Sequence, residues 1–345
     1  MRVLVTGHNG YIGTVLVPML QKAGHEVVGM DNDFFEECTF GTMIDPVPSI
    51  KKDIRDVEAR DLEGFEAVLH LAGLSNDPLG DFRPELTDQI NHQATVQLGR
   101  LAKAAGASRF IFASSCSNYG ASGNDWLVEE SAFNPVTPYG ISKVQSEQGL
   151  AQLADENFSP TYLRNATAFG VSPRLRFDLV LNNLVAWAYT TGQVYLKSDG
   201  SPWRPIVHIE DISRAFLAVL HAPREVIHNE GFNVGRNEDN YRIRDLAMIV
   251  KETVPGCDLK MAPDAGPDKR NYRVDCSKII NTLPEFQPQW DARRGAQELY
   301  EAYQKVGLTL DEFEGPRYKR ITHIKNLVND GRLDETLRWH HLVTA

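Results

Sequence analysis

The chain is 345 residues long, 42% hydrophobic and 24% charged, with a formal net charge of −10. That composition is ordinary for a globular protein with one or two cores, and the acidic balance argues against a nucleic-acid or anionic-membrane surface while leaving room for a local basic pocket. No run approaches the roughly 20 apolar residues of a membrane span, no metal site is expected, and the four scattered cysteines, Cys38, Cys116, Cys257 and Cys276, read as reduced thiols of a cytoplasmic protein.

In chain order, β-branched apolar runs at Arg2–Thr6, Glu26–Met30, Ala67–Leu71, Arg109–Ser114 and Pro160–Arg164 predict strands. Helical periodicity between them predicts helices at Tyr11–Ala23, at Asn91–Ala105 and from Tyr139 to about Glu156. Strands with continuous apolar runs, alternating with helices, imply a parallel sheet covered on both faces, the doubly wound α/β (Rossmann) architecture. After Gly170 proline, glycine and aromatic residues become denser, with helical pieces at Phe177–Thr191 and Ile209–His221 and amphipathic helix in the tail Arg317–Arg338. Residues 1–170, with returning segments near 205–235, are expected to form the dinucleotide-binding domain. Residues 171–345 are expected to form mainly a smaller, discontinuous α/β substrate domain and the C-terminal helices.

The first strand runs into Gly7-His8-Asn9-Gly10-Tyr11-Ile12-Gly13, a G-x-x-G-x-x-G ladder that opens a helix. Gly7 permits the tight turn, Gly10 lets the backbone approach a pyrophosphate, and Gly13 allows close helix–sheet packing. Asp31 ends the next strand 18 residues after Gly13, where a carboxylate accepts the ribose hydroxyls and repels a 2′-phosphate. Asn32 and Asp33 follow it with no arginine, so NAD is favoured over NADP. A strand-terminal aspartate can also be a simple cap, and His70, inside an apolar run, reads as a core histidine.

Tyr139 and Lys143 are i and i+4 on one helix face, and Pro138 makes a sensible helix start. A nearby ammonium favours phenolate, so Tyr139 is a candidate to take the proton of a hydroxyl whose carbinol hydride passes to a nicotinamide.

Gly7–Gly13, Asp31, Asp53-Ile54, His70–Gly73, Asn91, Ser114-Ser115, Tyr139–Lys143 and Arg204 together resemble the extended short-chain dehydrogenase/reductase family, and within it the nucleotide-sugar epimerases and dehydratases. The resemblance covers roughly residues 1 to 300. It implies that Asp53 and Ile54 hold the adenine, that Leu71, Ala72 and Gly73 line the pyrophosphate and nicotinamide ribose, and that Asn91 supports the active-site helix. It places the catalytic hydroxyl at Ser115, with Ser114 and Ser117 as neighbours in register. The 4,6-dehydratases of the family carry Asp-Glu directly after that hydroxyl residue, where this chain has Cys116 and Ser117, so dehydration is disfavoured. Cys116 is one position out of register with the acid/base cysteine of the 3,5-epimerase/reductases, and reads as a buried, inert thiol.

On the substrate side the resemblance matches Arg204 and Asn183 to groups that hold a nucleotide diphosphate. Thr167 stands where the family usually has asparagine. The family's second diphosphate arginine falls at Ala265, with Arg270 or Arg273 as replacements. The polar loop Leu74-Ser75-Asn76-Asp77 would put Ser75 and Asn76 against the sugar, and the charges around Arg174 and Arg176 read equally as part of the substrate side or as a solvated rim. The expected function is an NAD-dependent epimerase of a nucleotide sugar, working at C4 through a transient 4-keto sugar. The alternatives are an NAD(P)H-dependent 4-ketoreductase of a nucleotide-linked 4-keto-6-deoxy sugar and a non-catalytic NAD-sensing regulator. The resemblance also implies a homodimer built on the helices near Asn91 and Tyr139.

Overall fold

The structure, a computed structural model, describes residues 1–41, 44–75, 77–120, 125–266 and 271–340. Its main sheet has seven strands: β1 (Arg2–Thr6), β2 (Glu26–Asp31), β3 (Ser49–Lys51), β4 (Ala67–His70), β5 (Arg109–Ser115), β6 (Ser159–Asn165) and β7 (Glu230–Val234). They lie in the order β7-β6-β5-β4-β1-β2-β3, and every pairing is parallel. The chain therefore starts at β1 in the middle, winds outward one way through β2 and β3, and returns to wind the other way through β4. Between β1 and β4 the two windings part, which leaves a crevice at the strands' carboxyl ends.

The strand residues divide by period two. Val3, Val5, Leu69, Ile111 and Leu163 face one side, where they pack on Leu16 and Leu20 of α1 (Gly13–Lys22). Leu4, Val68, Phe110 and Phe112 face the other, where they meet Leu98 of α2 (Ala94–Ala104) and Leu150 of α3 (Pro138–Ala151). Both faces being covered explains why all seven residues of β6 are buried.

Three helices follow: α4 (Val180–Thr191), α5 (Ile209–His221) and α6 (Ile243–Thr253). Of these, α5 returns to the main sheet, placing Ile212, Phe216 and Val219 in the same core as α1. The second unit gathers around α4, α6 and α7 (Ala292–Val306), with its own core of Leu181, Val185, Leu246, Val250 and Leu299. A small sheet of Thr167–Phe169, Trp203–His208 and Asn240–Arg242 joins the two units.

Two helices differ from expectation. The stretch before α2 winds more widely over Asp88–Gln93, and within it the Asn91 side-chain amide holds the backbone of Leu74, accepting from its N–H at 2.7 Å and donating to its carbonyl at 3.0 Å. The tail is helical only as α8 (Arg320–Asn329), and then doubles back through a bridge between Leu333 and Trp339. Among the described residues no helix is long and apolar enough to cross a membrane.

Candidate active site

The glycine turn sits at the carboxyl end of β1, inside the crevice. Gly7 has φ +73°, and a Cβ there would lie 2.7 Å from the Ala72 amide nitrogen. At Gly13 a Cβ would lie 2.4 Å from the carbonyl oxygens of both Gly7 and His8. These contacts are with backbone, which cannot turn aside. Gly13→Ala is therefore expected to displace α1, costing about 2 kcal/mol of stability and the retained dinucleotide, as read by urea unfolding and by nucleotide released on denaturation. The amides that open α1 have no helix carbonyl to bond and point their partial charge toward an anion.

Asp31 accepts the Asn9 amide at 3.1 Å and the Asp33 amide at 3.0 Å. Burial raises its carboxyl above the ordinary range, and these two amides partly offset that. Asp53 is buried too, yet its carboxyl is held below the usual range by Arg55, which binds it through Nη2 at 2.6 Å and Nε at 2.9 Å. Gly7, Gly10, Tyr11, Ile12, Gly13, Asp31, Asn32, Asp53, Ile54, Leu71, Ala72 and Gly73 all line one cleft along the crevice. Asn9 reaches it only through its backbone link to Asp31, while its side chain bonds Asp33. Asn91 lies behind the loop, clasping Leu74 and donating to the Ser142 hydroxyl at 3.3 Å, so it ties the cleft wall to α3. A buried cleft with a glycine turn, helix-opening amides and a carboxylate at the second strand's tip fits a dinucleotide.

Beside it lies a cavity of about 440 Å³ lined by Ser75, Ser115, Tyr139, Lys143, Thr167 and Arg176, among others. Two buried polar atoms on its lining residues, Ser75 Oγ and Asn165 Oδ1, have no hydrogen-bond partner, which suits a ligand rich in hydroxyls. The Ser115 hydroxyl shares the cavity wall with the Tyr139 phenol and donates to Ser117 Oγ at 3.1 Å. The Ser114 hydroxyl instead points into the protein, to Glu147 Oε1 at 2.5 Å. Ser117 lines the cavity and donates its amide to Ser115 Oγ at 3.1 Å.

Lys143 Nζ donates to the Ala113 carbonyl at 2.8 Å and stands 5.7 Å from the centre of the Tyr139 ring. The expectation that this ammonium governs the phenol is corrected. Burial raises the Tyr139 pKa to about 12, and the strongest opposing influence is Arg176, ahead of Ser115. Burial also lowers Lys143 to about 7, with Glu147 opposing. The folded chain thus binds fewer protons than the unfolded one between about pH 7 and pH 10, so stability should rise with pH across that window. Lys143→Met should lack the rise, as checked by urea unfolding at about pH 7 and about pH 9.5.

Other expectations are also revised. Arg176 is no solvated rim: it is buried, holds Asp178 through Nε at 3.0 Å and Nη2 at 2.5 Å, and donates to the Ser75 carbonyl at 3.1 Å. Arg174 is buried as well, donating to the Asn9 carbonyl at 3.1 Å. Asn183 does not line the cavity; its amide donates to the Phe177 carbonyl at 2.9 Å and braces the start of α4. Arg204 does not line it either, and sits 5.8 Å from the ring centre of Tyr272, which does. Asn76 and Arg270 lie outside the described residues. Cys116 is fully buried and donates its thiol to the Arg164 carbonyl at 3.1 Å, and burial pushes the thiol up. His70 is a core histidine between Thr6 at 2.6 Å and Thr95 at 2.7 Å, lowered by burial to about 3.

Glu147 escaped the sequence reading, although its i+4 spacing from Lys143 was visible. It binds Arg164 Nη2 at 2.8 Å and Asn118 Nδ2 at 2.9 Å beneath the site.

The parallel sheet, its glycine-lined crevice and the adjoining hydroxyl–phenol–ammonium group define a nucleotide-dependent enzyme of the short-chain dehydrogenase/reductase type. A model of the NAD dependent epimerase/dehydratase family matches residues 3–235, and the chain belongs to that family; it is an NAD-dependent enzyme. UDP-glucose 4-epimerase of Bacillus subtilis is 25% identical over 325 residues, covering 87% of this chain and 94% of that protein. DesIV, a dTDP-glucose 4,6-dehydratase of Streptomyces venezuelae solved with NAD bound, superposes with a TM-score of 0.75 at 25% identity, over 88% of this chain and 97% of that one. UDP-glucuronic acid 4-epimerase of Bacillus cereus, solved with UDP-glucuronic acid and NAD, shares the fold with a TM-score of 0.75 at 24% identity, over 89% of this chain and all of that one.

Proposed function

We propose that the protein is a nucleotide-sugar 4-epimerase that keeps its NAD through the catalytic cycle. One observation carries this reading: Ser115, Tyr139 and Lys143 line one cavity that adjoins the cofactor cleft, while the turn after Ser115 offers only a buried thiol and a hydroxyl. Removing water from C5 and C6 of a hexose needs an acid and a base, and this turn supplies neither.

In this reading residues 1–170 supply the cofactor half and the rest mainly the substrate half. Bound NAD supplies the hydride acceptor and, when oxidised, a positive charge that favours phenolate. Tyr139, drawn toward phenolate by that charge, would take the proton of the sugar's C4 hydroxyl as base and return it as acid. Ser115 donates to the same sugar oxygen. Lys143, 5.7 Å from the Tyr139 ring centre, adds positive charge there when protonated, and Thr167 and Ser75 meet the sugar. The keto sugar turns in the cavity before the hydride returns to its other face. Asn183 and Arg204 act from behind the wall, on the start of α4 and on Tyr272. We place the enzyme in the cytoplasm as a homodimer packed through α2 and α3, which light scattering tests.

The decisive experiment incubates the protein, without added cofactor, with UDP-glucose and with UDP-glucuronic acid, following C4 configuration by NMR. A mixture of C4 epimers, with NAD released only on denaturation, is the expected result. No C4 inversion of either sugar, with reduced cofactor consumed only when a nucleotide-linked 4-keto-6-deoxy sugar is supplied, would favour the ketoreductase, and loss of water without C4 inversion would overturn the epimerase.

A further inference from the structure

The tail is docked on the cofactor cleft. Ile324, Leu327, Leu333 and Leu337 are buried in one cluster with Phe34, Ile54, Leu74 and Leu86. Polar contacts fix the same surface: Trp339 Nε1 donates to the Asn32 carbonyl at 2.6 Å, and His323 Nε2 bonds the Phe34 carbonyl at 2.8 Å. Arg55, the partner of Asp53, donates to the carbonyls of Thr336 at 2.8 Å and Leu337 at 3.2 Å. The segments that carry Asn32 and Asp53 are thus both held from outside by residues 320–340.

One side chain of this wall faces inward. Arg320, the first residue of α8, lines the cleft with Gly7, Gly10, Gly13 and Asp31. Its guanidinium lies 4.2 Å from the centre of the Phe35 ring, and among the described residues it has no carboxylate or carbonyl partner. Burial lowers it to about 10; Arg176 acts in the same direction, and Asp178 and Asp31 oppose. The residue is half-buried, and a guanidinium drawn partly out of water with no anion beside it is costly. It also lies within electrostatic reach of both Asp31, at the ribose end, and Arg176, at the Tyr139 end. It lines the same cleft as the glycine turn.

We propose that Arg320 is a ligand of the cofactor's diphosphate, clasping it from the side opposite the glycine turn, and that the docked tail is the outer wall that brings it there. The proposal rests on the cofactor reading of the cleft. Five donors in a planar fork match phosphate oxygens, and the two mutually repelling guanidiniums, Arg176 and Arg320, are reconciled once an anion enters. The tail therefore contributes to cofactor retention as well as to packing.

The test is equilibrium binding to the full chain stripped of nucleotide, with ADP-ribose and adenosine as probes. Arg320→Gln should weaken ADP-ribose by about ten- to a hundredfold, the worth of one or two charge-assisted hydrogen bonds, and leave adenosine unchanged. Arg320→Lys should fall between, since it keeps the charge and loses the fork. Its soluble folding, checked by circular dichroism, keeps the test open if the glutamine variant misfolds. Equal ADP-ribose affinity in wild type and variant overturns the proposal. An equal loss for both probes also overturns it, because that marks a merely structural role. A wild-type chain that binds neither probe removes the cofactor reading, and the proposal with it.

Discussion

Tyr139→Phe is expected to lower kcat about a thousandfold, within the range that a positioned acid/base contributes, while bound NAD stays at the wild-type level. The substitution removes one oxygen and keeps the ring, so Lys143 retains its place over the neighbouring aromatic faces of Phe112, at 4.4 Å, and residue 139, at 5.7 Å. Ser115→Ala should cost less, about ten- to a hundredfold, because the phenol can still move the proton. NAD content on denaturation and single-turnover kinetics together separate these outcomes. A Phe variant with unaltered kcat would remove Tyr139 from the chemistry and return the protein to the sensor alternative.

Glu147→Ala is expected to be the most destabilising single substitution near the site, at about 3–5 kcal/mol, the cost of leaving one member of a buried ion pair alone. The side chains of Glu147 and Arg164 are only 5% and 8% exposed. The carboxylate takes Arg164 from two directions, at Nη2 and at Nε, and also accepts from Ser114 and Asn118. Removing it strands the guanidinium, which keeps only the Tyr119 hydroxyl at 3.0 Å and the Glu129 carbonyl at 2.8 Å. Set against the 5–15 kcal/mol typical of whole domains, that loss should be plain in a urea midpoint. The double variant Glu147→Leu with Arg164→Met should recover much of it, since two apolar chains of similar volume carry no desolvation cost. Failure of the double variant to recover would mean that the pair specifies local structure rather than merely neutralising itself.

The two predictions draw on different levels of information. The placing of Tyr139 and Lys143 together on α3 at the cavity was legible because it depends on spacing along one helix, and helical spacing is written in sequence. The glycine ladder was legible for the same reason: a turn, a strand before it and a helix after it are all local. His70 was read correctly as a core residue from the apolar run around it. Reading Arg176 as a rim fails because its surroundings are polar only along the chain; in space Asp178 neutralises it and the cavity encloses it. Asn183 and Arg204 were assigned by position within the family, yet neither lines the cavity. Register along a chain does not fix the direction of a side chain once α4 and the strand of Trp203–His208 take their own packing.

The sequence by itself determined the parallel α/β architecture, the dinucleotide crevice, the preference for NAD and the hydroxyl–phenol–ammonium group. Each follows from residues close together in the chain, where periodicity and turn geometry act directly. Only the tertiary structure decided which serine hydroxyl is spent in the interior and which cations reach the cavity and the cofactor cleft. Ser114 turns to Glu147, Arg176 is brought to the cavity of Ser115 and Tyr139 from 37 residues downstream of Tyr139, and Arg320 arrives at the cleft on the tail. These are long-range juxtapositions, set by the burial of apolar faces that have no signature at any one position.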